Sequence, residues 1–353
     1  MSNPLVSICI PTRNRGRWLR ESLASVLGQD YQPLELLISD NASDDETEQV
    51  GIETARGDSR VRYVRHPENL GLYGNHNYCL EASRGDFICI FHDHDERDTG
   101  IVSTYVEFLR EHPEVGVVCS DWELIDRDGR FLGAREYYVP PVTPGLDYIG
   151  QTMRSGRSQI GVPGAMIRRE ALGDARFDEQ GPIGFGDFPV WFRVAERSDV
   201  GHVGRRLWRW RQDVRSESAR TIVSMSHDYD ENLTKYCDDH LARWPRHAEL
   251  VADWKRSIHR YLFWALLFEI GLHFRKQRPP ATEGDRTLFE IMDYHLTPDE
   301  FQWALEQLAV HQRGPLQGAT RALVDAMIRV RMTWPLAWAT EHHASLGALL
   351  GLR

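Results

Sequence analysis

The run FICIFHDHDERD, residues 87 to 98, passes from apolar residues directly into histidines and carboxylates. Asp93 and Asp95 stand one residue apart, a spacing that in an extended loop turns both carboxylates toward one ligand. Carboxylate oxygens are hard donors suited to Mg²⁺ or Mn²⁺, and Mg²⁺ is generally held by one or two carboxylates together with substrate phosphates. A nucleoside-diphosphate compound meets that chemistry. Paired aspartates in a turn are common, so the pair carries a reading only in company. Company exists at PTRNR, residues 11 to 15, and at SDNASDD, residues 39 to 45. Asp40 can accept a hydrogen bond from a nucleobase N–H or a ribose hydroxyl, and Arg13 and Arg15 can pair with phosphate.

All three clusters close short β-rich runs. LVSICIP (5 to 11), LELLISD (34 to 40), VRYVRH (61 to 66), DFICIFHD (86 to 93) and VGVVCSD (115 to 121) alternate with helical patterns. That alternation implies an α/β fold with a mostly parallel central sheet flanked by helices, in which ligands bind beyond the carboxyl ends of the strands. Leu19, Leu23, Val26 and Leu27 recur at helical spacing after the first strand, leaving Arg20 and Glu21 to solvent. Ser43 to Glu46 has the form of a capping box. Thr99 is placed to cap a helix whose inner face is Val102, Tyr105, Val106 and Leu109. From about 125 to 185 the pattern loosens into loops around a short AMIRR strand. Beyond about 220 it reads as helices, including a capping box in TPDE, residues 297 to 300. A boundary near Ser218 divides the chain into 1–218 and a mainly helical 219–353.

Composition narrows the partners. The 353 residues, 41% hydrophobic and 27% charged, suffice for a sizeable core. A formal net charge of −10 argues against a nucleic-acid or general anionic-membrane binder, whose surfaces are basic. Lysine occurs only at 235, 255 and 276, so anions held by side chains fall to arginine forks. The five cysteines lack CxxC spacing, which points to a reducing cytoplasm, and the N-terminus has no secretory pattern. The longest apolar run, 261 to 274, is too short to span a bilayer and contains Glu269. The segment from Arg321 onward mixes apolar residues with arginines. It is compatible with core or homodimer packing, or with an interfacial helix on the inner face of a membrane.

Four segments in order, SICIPTRNRGRWLRESLASVLGQ, LELLISDNASDDET, NLGLYGNHNYCLEASRGDFICIFHDHD and GFGDFPVWFRVAERSDVGHVGRRLWRWRQDVRSES, closely resemble family 2 glycosyltransferases over about residues 4 to 218. The resemblance implies the GT-A type nucleotide-diphospho-sugar transferase fold. It implies that Pro11, Thr12, Arg13 and Asp40 line the nucleotide pocket and that Asn69 and Gly71 lie near the donor. Asp93 is then expected to face the ribose and Asp95 the cation, Mg²⁺ or Mn²⁺, with His94 pointing elsewhere. The family's catalytic base is the aspartate of a Glu-Asp pair that opens a helix. Here the pair reads Gly186-Asp187, followed by the apolar face Val190, Trp191 and Val194, which makes Asp187 the candidate base and, equally in type, a helix N-cap. Many relatives then carry a histidine that completes the metal site. Aligning WRQDVRS, residues 210 to 216, puts Asp213 at that position, as a metal ligand or a surface residue.

Arg205, Arg206, Arg209, Arg211 and Arg215 form a cationic stretch that either neutralises a diphosphate or phosphorylated acceptor or makes a solvated strand edge. Alternation puts Leu207, Arg209 and Arg211 on one face, and Trp208 and Trp210 on the other in packing. The implied activity is inverting, metal-dependent transfer of a sugar from a nucleotide-diphosphate donor to a carbohydrate, lipid-linked or other hydroxyl acceptor, in polysaccharide or glycoconjugate biosynthesis. In that reaction Asp187 accepts the acceptor's proton and the cation on Asp95 stabilises the leaving group. A retaining GT-A enzyme or a nucleotidyltransferase shares the pocket. A non-catalytic nucleotide-sugar-binding or scaffold protein would account for the departures at Gly186 and Asp213.

Overall fold

Apolar runs interrupted by glycine, proline and aspartate become strands wherever they can be covered on both faces. The structure, a computed structural model, describes residues 3–156, 158–181, 186–211, 225–259 and 261. In chain order come β1 (Val6–Thr12), α1 (Gly16–Leu27), β2 (Leu34–Asp40), α2 (Thr47–Gly57), β3 (Val61–Arg65), α3 (Gly71–Ala82) and β4 (Phe87–Ile90). Then follow β5 (Glu96–Arg97), α4 (Ile101–Glu111), β6 (Val115–Ile125), β7 (Phe131–Arg135), β8 (Val142–Thr143) and α5 (Gly145–Ser155). The series closes with β9 (Ala165–Arg168), α6 (Arg169–Leu172), α7 (Phe188–Ala195) and β10 (Asp199–Arg211).

The strands form one sheet in the order β3-β2-β1-β4-β9-β6-β10-β5, with β7 beside β6 and β8 beside β10. β1 to β4 are mutually parallel, as are β6 and β10. β9 runs antiparallel to both β4 and β6. β8 pairs with the first residues of β10, so the chain stands at the amino edge before α5. The segment after it carries the chain across, and β9 enters from the other end. The expected α/β sheet is therefore present, with a mixed middle.

Helix faces cover it as their spacing dictates. Leu19, Leu23 and Val26 of α1 join Ile8, Ile10, Leu36 and Ile38 in the core, and Ile101, Val102, Tyr105, Val106 and Leu109 of α4, which lies along β6 and β10, extend it to Val115, Val118 and Leu207. Each such side chain contributes about 1.5–3 kcal/mol of transfer free energy. Leu27 packs on this core only in part, while Arg20 and Glu21 face solvent. Two capping expectations fail. Helix α2 starts at Thr47, whose N–H donates to Asp45 Oδ1 at 2.9 Å, because Ser43 is drawn away to accept the N–H of Asn14 at 2.9 Å. Ahead of α4, Asp98 Oδ1 accepts the N–H of Gly100 at 2.9 Å, so the aspartate rather than Thr99 organises the turn.

The chain divides into two compact units, the first holding the sheet and continuing to Asp213. Within the second, helix Met225–Arg243 and the turn Pro245–His247 bury Leu233, Cys237 and His240 with Val251, Trp254 and Ile258. Asp213, Arg215, Ser218, the TPDE box and the arginine-bearing segment after Arg321 lie outside the described residues. All five cysteines are free and buried. Among the described residues no helix is long and apolar enough to cross a membrane.

Candidate functional site

Regular register at the carboxyl ends of β1, β2 and β4 assembles the first half of the site. The β1–β2 ladder sets Thr12 beside Asp40. The β1–β4 ladder pairs Cys9 with Ile90, and three residues further along both chains Thr12 Oγ1 donates to Asp93 Oδ2 at 2.7 Å. Pro11 and Thr12 are buried and Arg13 is exposed just past the strand. Asn14 and Ala42 both take left-handed backbone conformations, φ 52° and 56°, two residues beyond these strand ends. Asparagine tolerates that geometry, whereas alanine holds it at a cost of about 1 kcal/mol. The turn at Ala42 brings the N–H of Ser43 back to Asp40 Oδ1 at 2.9 Å, while the Tyr63 hydroxyl donates to Asp40 Oδ2 at 2.6 Å. Burial, then the bond to Asp40, push the Tyr63 hydroxyl well above its ordinary pKa. Asp40 is thus wholly buried with both oxygens engaged, each retaining a second lone pair.

Asn41 staples the segment before α3 to this row. Its side chain donates to Asn69 Oδ1 at 2.8 Å and to the Gly71 carbonyl at 3.0 Å, and its Oδ1 accepts the N–H of Leu70 at 2.7 Å. Gly71 has φ +77°, a conformation glycine adopts without steric penalty. Asn69 and Gly71 are exposed.

The Asp93–Asp95 pair is not presented as an extended loop would present it. Residues 93 and 94 form a turn, so the two carboxylates diverge: Asp93 toward β1, Asp95 toward the last residue of β10. His94 lies between them, contrary to the expectation that it points elsewhere. Its Nδ1 is 3.0 Å from Asp93 Oδ1 and its Nε2 is 3.6 Å from Asp95 Oδ1. Burial lowers the pKa of His94 most, yet Asp95 and Asp93 together carry it above its ordinary value. Burial, then the neighbouring His94 and His76, hold His92 well below its own.

Asp95 is 1% exposed. Its Oδ1 accepts the backbone N–H of Arg211 at 2.9 Å, whereas Oδ2 is buried without a hydrogen-bond partner. Around Oδ2 stand His92 Nδ1 at 3.8 Å and Arg97 Nη2 at 3.7 Å. The Arg97 guanidinium is itself buried, 4.5 Å over the Phe91 ring. A carboxylate with one orphaned oxygen, a ring nitrogen near each of its two oxygens, fits a divalent cation, with His92, His94 and Asp95 as the available donors.

Asp187 occupies the turn before α7, at the N-cap position. No side-chain cap bond forms there; instead Trp191 Nε1 donates to Asp187 Oδ2 at 3.2 Å. Burial lifts its carboxyl to a pKa of about 6, against the opposing bonds from Trp191 and the backbone. Gly186, where relatives carry glutamate, has no room for a side chain: a Cβ there would sit 2.3 Å from the Tyr73 ring. The Tyr73 hydroxyl accepts the N–H of Gly186 at 3.2 Å. Edge-to-face contacts join this corner to the loop bearing Asp95, from Trp191 to Phe177 at 6.3 Å, Phe177 to His76 at 5.2 Å, and His76 to His92 at 5.8 Å between ring centroids.

The arginine stretch is mostly committed to glutamates. Arg206 pairs with Glu123 and Glu136, and Arg209 with Glu96 at 2.6 Å. Arg211 turns inward, donating to Glu96 Oε1 at 2.6 Å and to the carbonyls of His94 and Arg127 at 2.9 Å, and it lies over the Trp18 ring. The expected alternation breaks at register shifts in β10, which leave Leu207 and Trp208 both buried and Arg209 outside. Trp208 and Trp210 do pack, both against Trp122. Tyr73, Arg97 and the two histidines were not assigned site roles from sequence. The histidine signal was present in HDHD, but i, i+2 alternation assigned the imidazoles to the opposite face from the carboxylates.

The sequence profile described as "Glycosyl transferase family 2" matches residues 7–174. The putative glycosyltransferase EpsE of Bacillus subtilis is 30% identical over 213 residues, 56% of this chain and 76% of that protein. The GalNAc(5)-diNAcBac-PP-undecaprenol β-1,3-glucosyltransferase of Campylobacter jejuni is 32% identical over 109 residues, so the match spans 31% of this chain and about a third (35%) of that protein. Among solved structures, Staphylococcus aureus TarS 1-349 in complex with UDP-GlcNAc superposes with a TM-score of 0.58 at 17% identity, covering 96% of this chain and 91% of its own. The mannosyltransferase PcManGT from Pyrobaculum calidifontis, in complex with GDP-Man and Mn²⁺, gives 0.51 at 16% identity, covering 99% and 88%. At such identities the likeness establishes the fold.

Proposed function

The chain belongs to glycosyltransferase family 2, a glycosyltransferase of the GT-A fold acting in glycoconjugate biosynthesis, and on that premise we propose an inverting displacement with Asp187 as its base. The observation that carries the proposal is the half-buried Asp187 carboxyl with a pKa of about 6. A base is most effective when its pKa lies near the working pH. The Trp191 indole occupies Oδ2 and orients the carboxylate, so that Oδ1 is the atom assigned to the acceptor. As the acceptor oxygen forms its bond to the anomeric carbon, its proton passes to Asp187. The bond from that carbon to the diphosphate breaks with its electron pair leaving on the phosphate oxygen.

Pro11, Thr12, Arg13, Asp40, Asn69, Gly71 and Asp93 are assigned to the nucleotide-diphosphate donor. The shared row of Thr12, Asp40 and Asp93 supports this. A divalent cation, Mg²⁺ or Mn²⁺, supplies charge neutralisation to the leaving diphosphate when bound. Asp95 is its assigned ligand, with Asp213 as a further candidate. Residues 1–218 are assigned to catalysis, and residues 219–353 to the acceptor, a second copy or the membrane surface. The buried, unpaired cysteines support a cytoplasmic setting. The acceptor is assigned as a carbohydrate or lipid-linked hydroxyl. Gly186 does not favour a scaffold reading, because Tyr73 fills the space the missing side chain would need.

The test is a thermal-shift and turnover panel of UDP-, GDP- and dTDP-sugars, with and without Mn²⁺, on wild type, Asp95→Ala and Asp187→Asn. One donor should stabilise the wild type in the presence of metal. Asp95→Ala should lose that stabilisation, and Asp187→Asn should keep it while turnover disappears. Undiminished turnover in Asp187→Asn would remove the base assignment.

A further inference from the structure

We infer that this chain holds its divalent cation through imidazole nitrogens, His92 and His94 joining Asp95 in a two-histidine, one-carboxylate set that selects transition-metal ions over Mg²⁺. The inference rests on the transferase reading only in placing the ion beside a donor diphosphate. One ligand atom from each residue lies within 4.8 Å of the others. Asp95 Oδ2 is 3.8 Å from His92 Nδ1, and Asp95 Oδ1 is 3.6 Å from His94 Nε2. Ligand atoms about 2.1 Å from a shared tetrahedral ion stand about 3.4 Å apart, so an ion bound here draws in a set that now spans up to 4.8 Å.

Two further observations point the same way. Asp95 Oδ2 is deeply buried and has no hydrogen-bond partner. His94, moreover, has the carboxylate–histidine arrangement that metal ligands use. With a proton on Nδ1, directed at Asp93 Oδ1 3.0 Å away, the lone pair of Nε2 is left on the side of Asp95. Asp93 is fixed in turn by the Thr12 hydroxyl. The turn at residues 93 and 94 is what brings the imidazoles and the second carboxylate together, where an extended chain would separate them.

The neighbouring charge decides the metal. Arg97 Nη2, 3.7 Å from Asp95 Oδ2, offsets much of the only carboxylate charge in the set. Mg²⁺ is strongly hydrated and relies on anionic oxygen, so the protein offers it little beyond the donor phosphates. Nitrogen donors instead favour first-row transition ions, with Mn²⁺ the weakest of the series and so the strictest probe of the preference.

The test is electron paramagnetic resonance of Mn²⁺ added to the full chain, with and without UDP, read as loss of the free-ion signal and as ¹⁴N modulation in the spin-echo envelope. Wild type should show nitrogen couplings, and Mg²⁺ in roughly hundredfold excess should leave most of the Mn²⁺ bound. His92→Asn and His94→Asn should each remove part of the nitrogen coupling and weaken Mn²⁺ binding roughly 10–100-fold. Oxygen-only coordination in wild type, displacement by equimolar Mg²⁺, or no binding with or without UDP would each overturn the inference. The wild-type spectrum decides even if a variant misfolds. Donor turnover measured on the same protein separates the two readings. Turnover without nitrogen coupling sinks only the metal set, and nitrogen coupling without stabilisation by any nucleotide sugar sinks only the transferase assignment.

Discussion

Two parts of the sheet deliver site residues, and they do so by different rules. At β1, β2 and β4 the parallel ladders run without interruption, and a residue's place in the row is its distance from the last ladder pair. Register sets Thr12 beside Asp40, and the Thr12 hydroxyl reaches Asp93 just past the end of β4. β10 pairs with β6 through three register shifts, at Asp199/Val200, Val203/Arg206 and Arg206/Trp208. The shifts leave Arg206 outside and Leu207 and Trp208 both buried; from Trp208 on the register is regular, so Arg209 and Arg211 share a face and meet the same Glu96, Arg211 being buried because it also reaches the loop bearing Asp95. Regular strands thus transmit position, whereas irregular ones redirect it, and only the first leaves a periodic trace in sequence.

Asp187 belongs to neither ladder, and its removal should have the largest effect. Replacing a general base with the neutral amide in Asp187→Asn is expected to lower turnover by about 10²–10⁴-fold. In wild type, turnover should rise with pH through about 6, as the carboxyl ionises. Stability should move the other way. Because the folded-state pKa is raised, the folded protein binds this proton more tightly than the unfolded chain does. Its stability therefore declines as pH climbs from the ordinary carboxylate value through about 6. Asp187→Asn should accordingly melt higher than wild type at pH 7.5, by on the order of 1–3 kcal/mol, with the gap closing near pH 4. Thermal melts at both pH values check the sign; a less stable variant at pH 7.5 would mean that the carboxylate is held by contacts outweighing its burial.

Arg211→Ala breaks the redirected half. The change removes the donor from the carbonyls of His94 and Arg127 and one of the two arginine partners of Glu96, all near the Asp95 loop. A loss of about 3 kcal/mol is expected, because part-buried carbonyls are left without their donor while Glu96 keeps Arg209. Urea denaturation measures it. A loss near zero would mean that β10 ends at the loop without supporting it.

Thr12→Val breaks the regular half at one atom. The shape is kept, but Asp93 Oδ2 loses a 2.7 Å buried donor, which should cost about 1–3 kcal/mol. Donor affinity should weaken as well, since Asp93 then lacks its anchor on β1. An unchanged melting temperature would show that the ladder positions Asp93 without this bond.

How much was legible follows the same division. The places of β1 to β4 along the chain, the buried faces of α1 and α4, and the row of polar strand ends all follow from period-2 and period-3.6 patterns that the structure leaves intact. The turn at residues 93 and 94 was not legible, because a turn of two residues cancels alternation without changing composition. So His94 went to the wrong face. Nor was the reason for Gly186, since Tyr73, which excludes a side chain there, is 113 residues away in sequence. The caps of α2 and α4 shifted for a related reason: Asn14, across the strand ends, drew Ser43 away from the first, and Asp98 preempted Thr99 at the second.

Arg209→Ala sharpens the comparison from its weak end. Arg209 lies two residues from Arg211 and pairs with the same Glu96 at the same 2.6 Å distance, yet its side chain is half exposed. Solvent screens such a pair and the long side chain loses rotamer freedom to form it, so the expected loss is about 0–1 kcal/mol. Glu96 also keeps its bond to Arg211 in this variant, which limits the loss further. Melts at low salt and in 1 M salt should converge for wild type and Arg209→Ala, because salt removes what the exposed pair contributes. If Arg209→Ala instead costs as much as Arg211→Ala, distance rather than burial governs these pairs, and the division drawn between the inward and outward residues of β10 would lose its energetic basis.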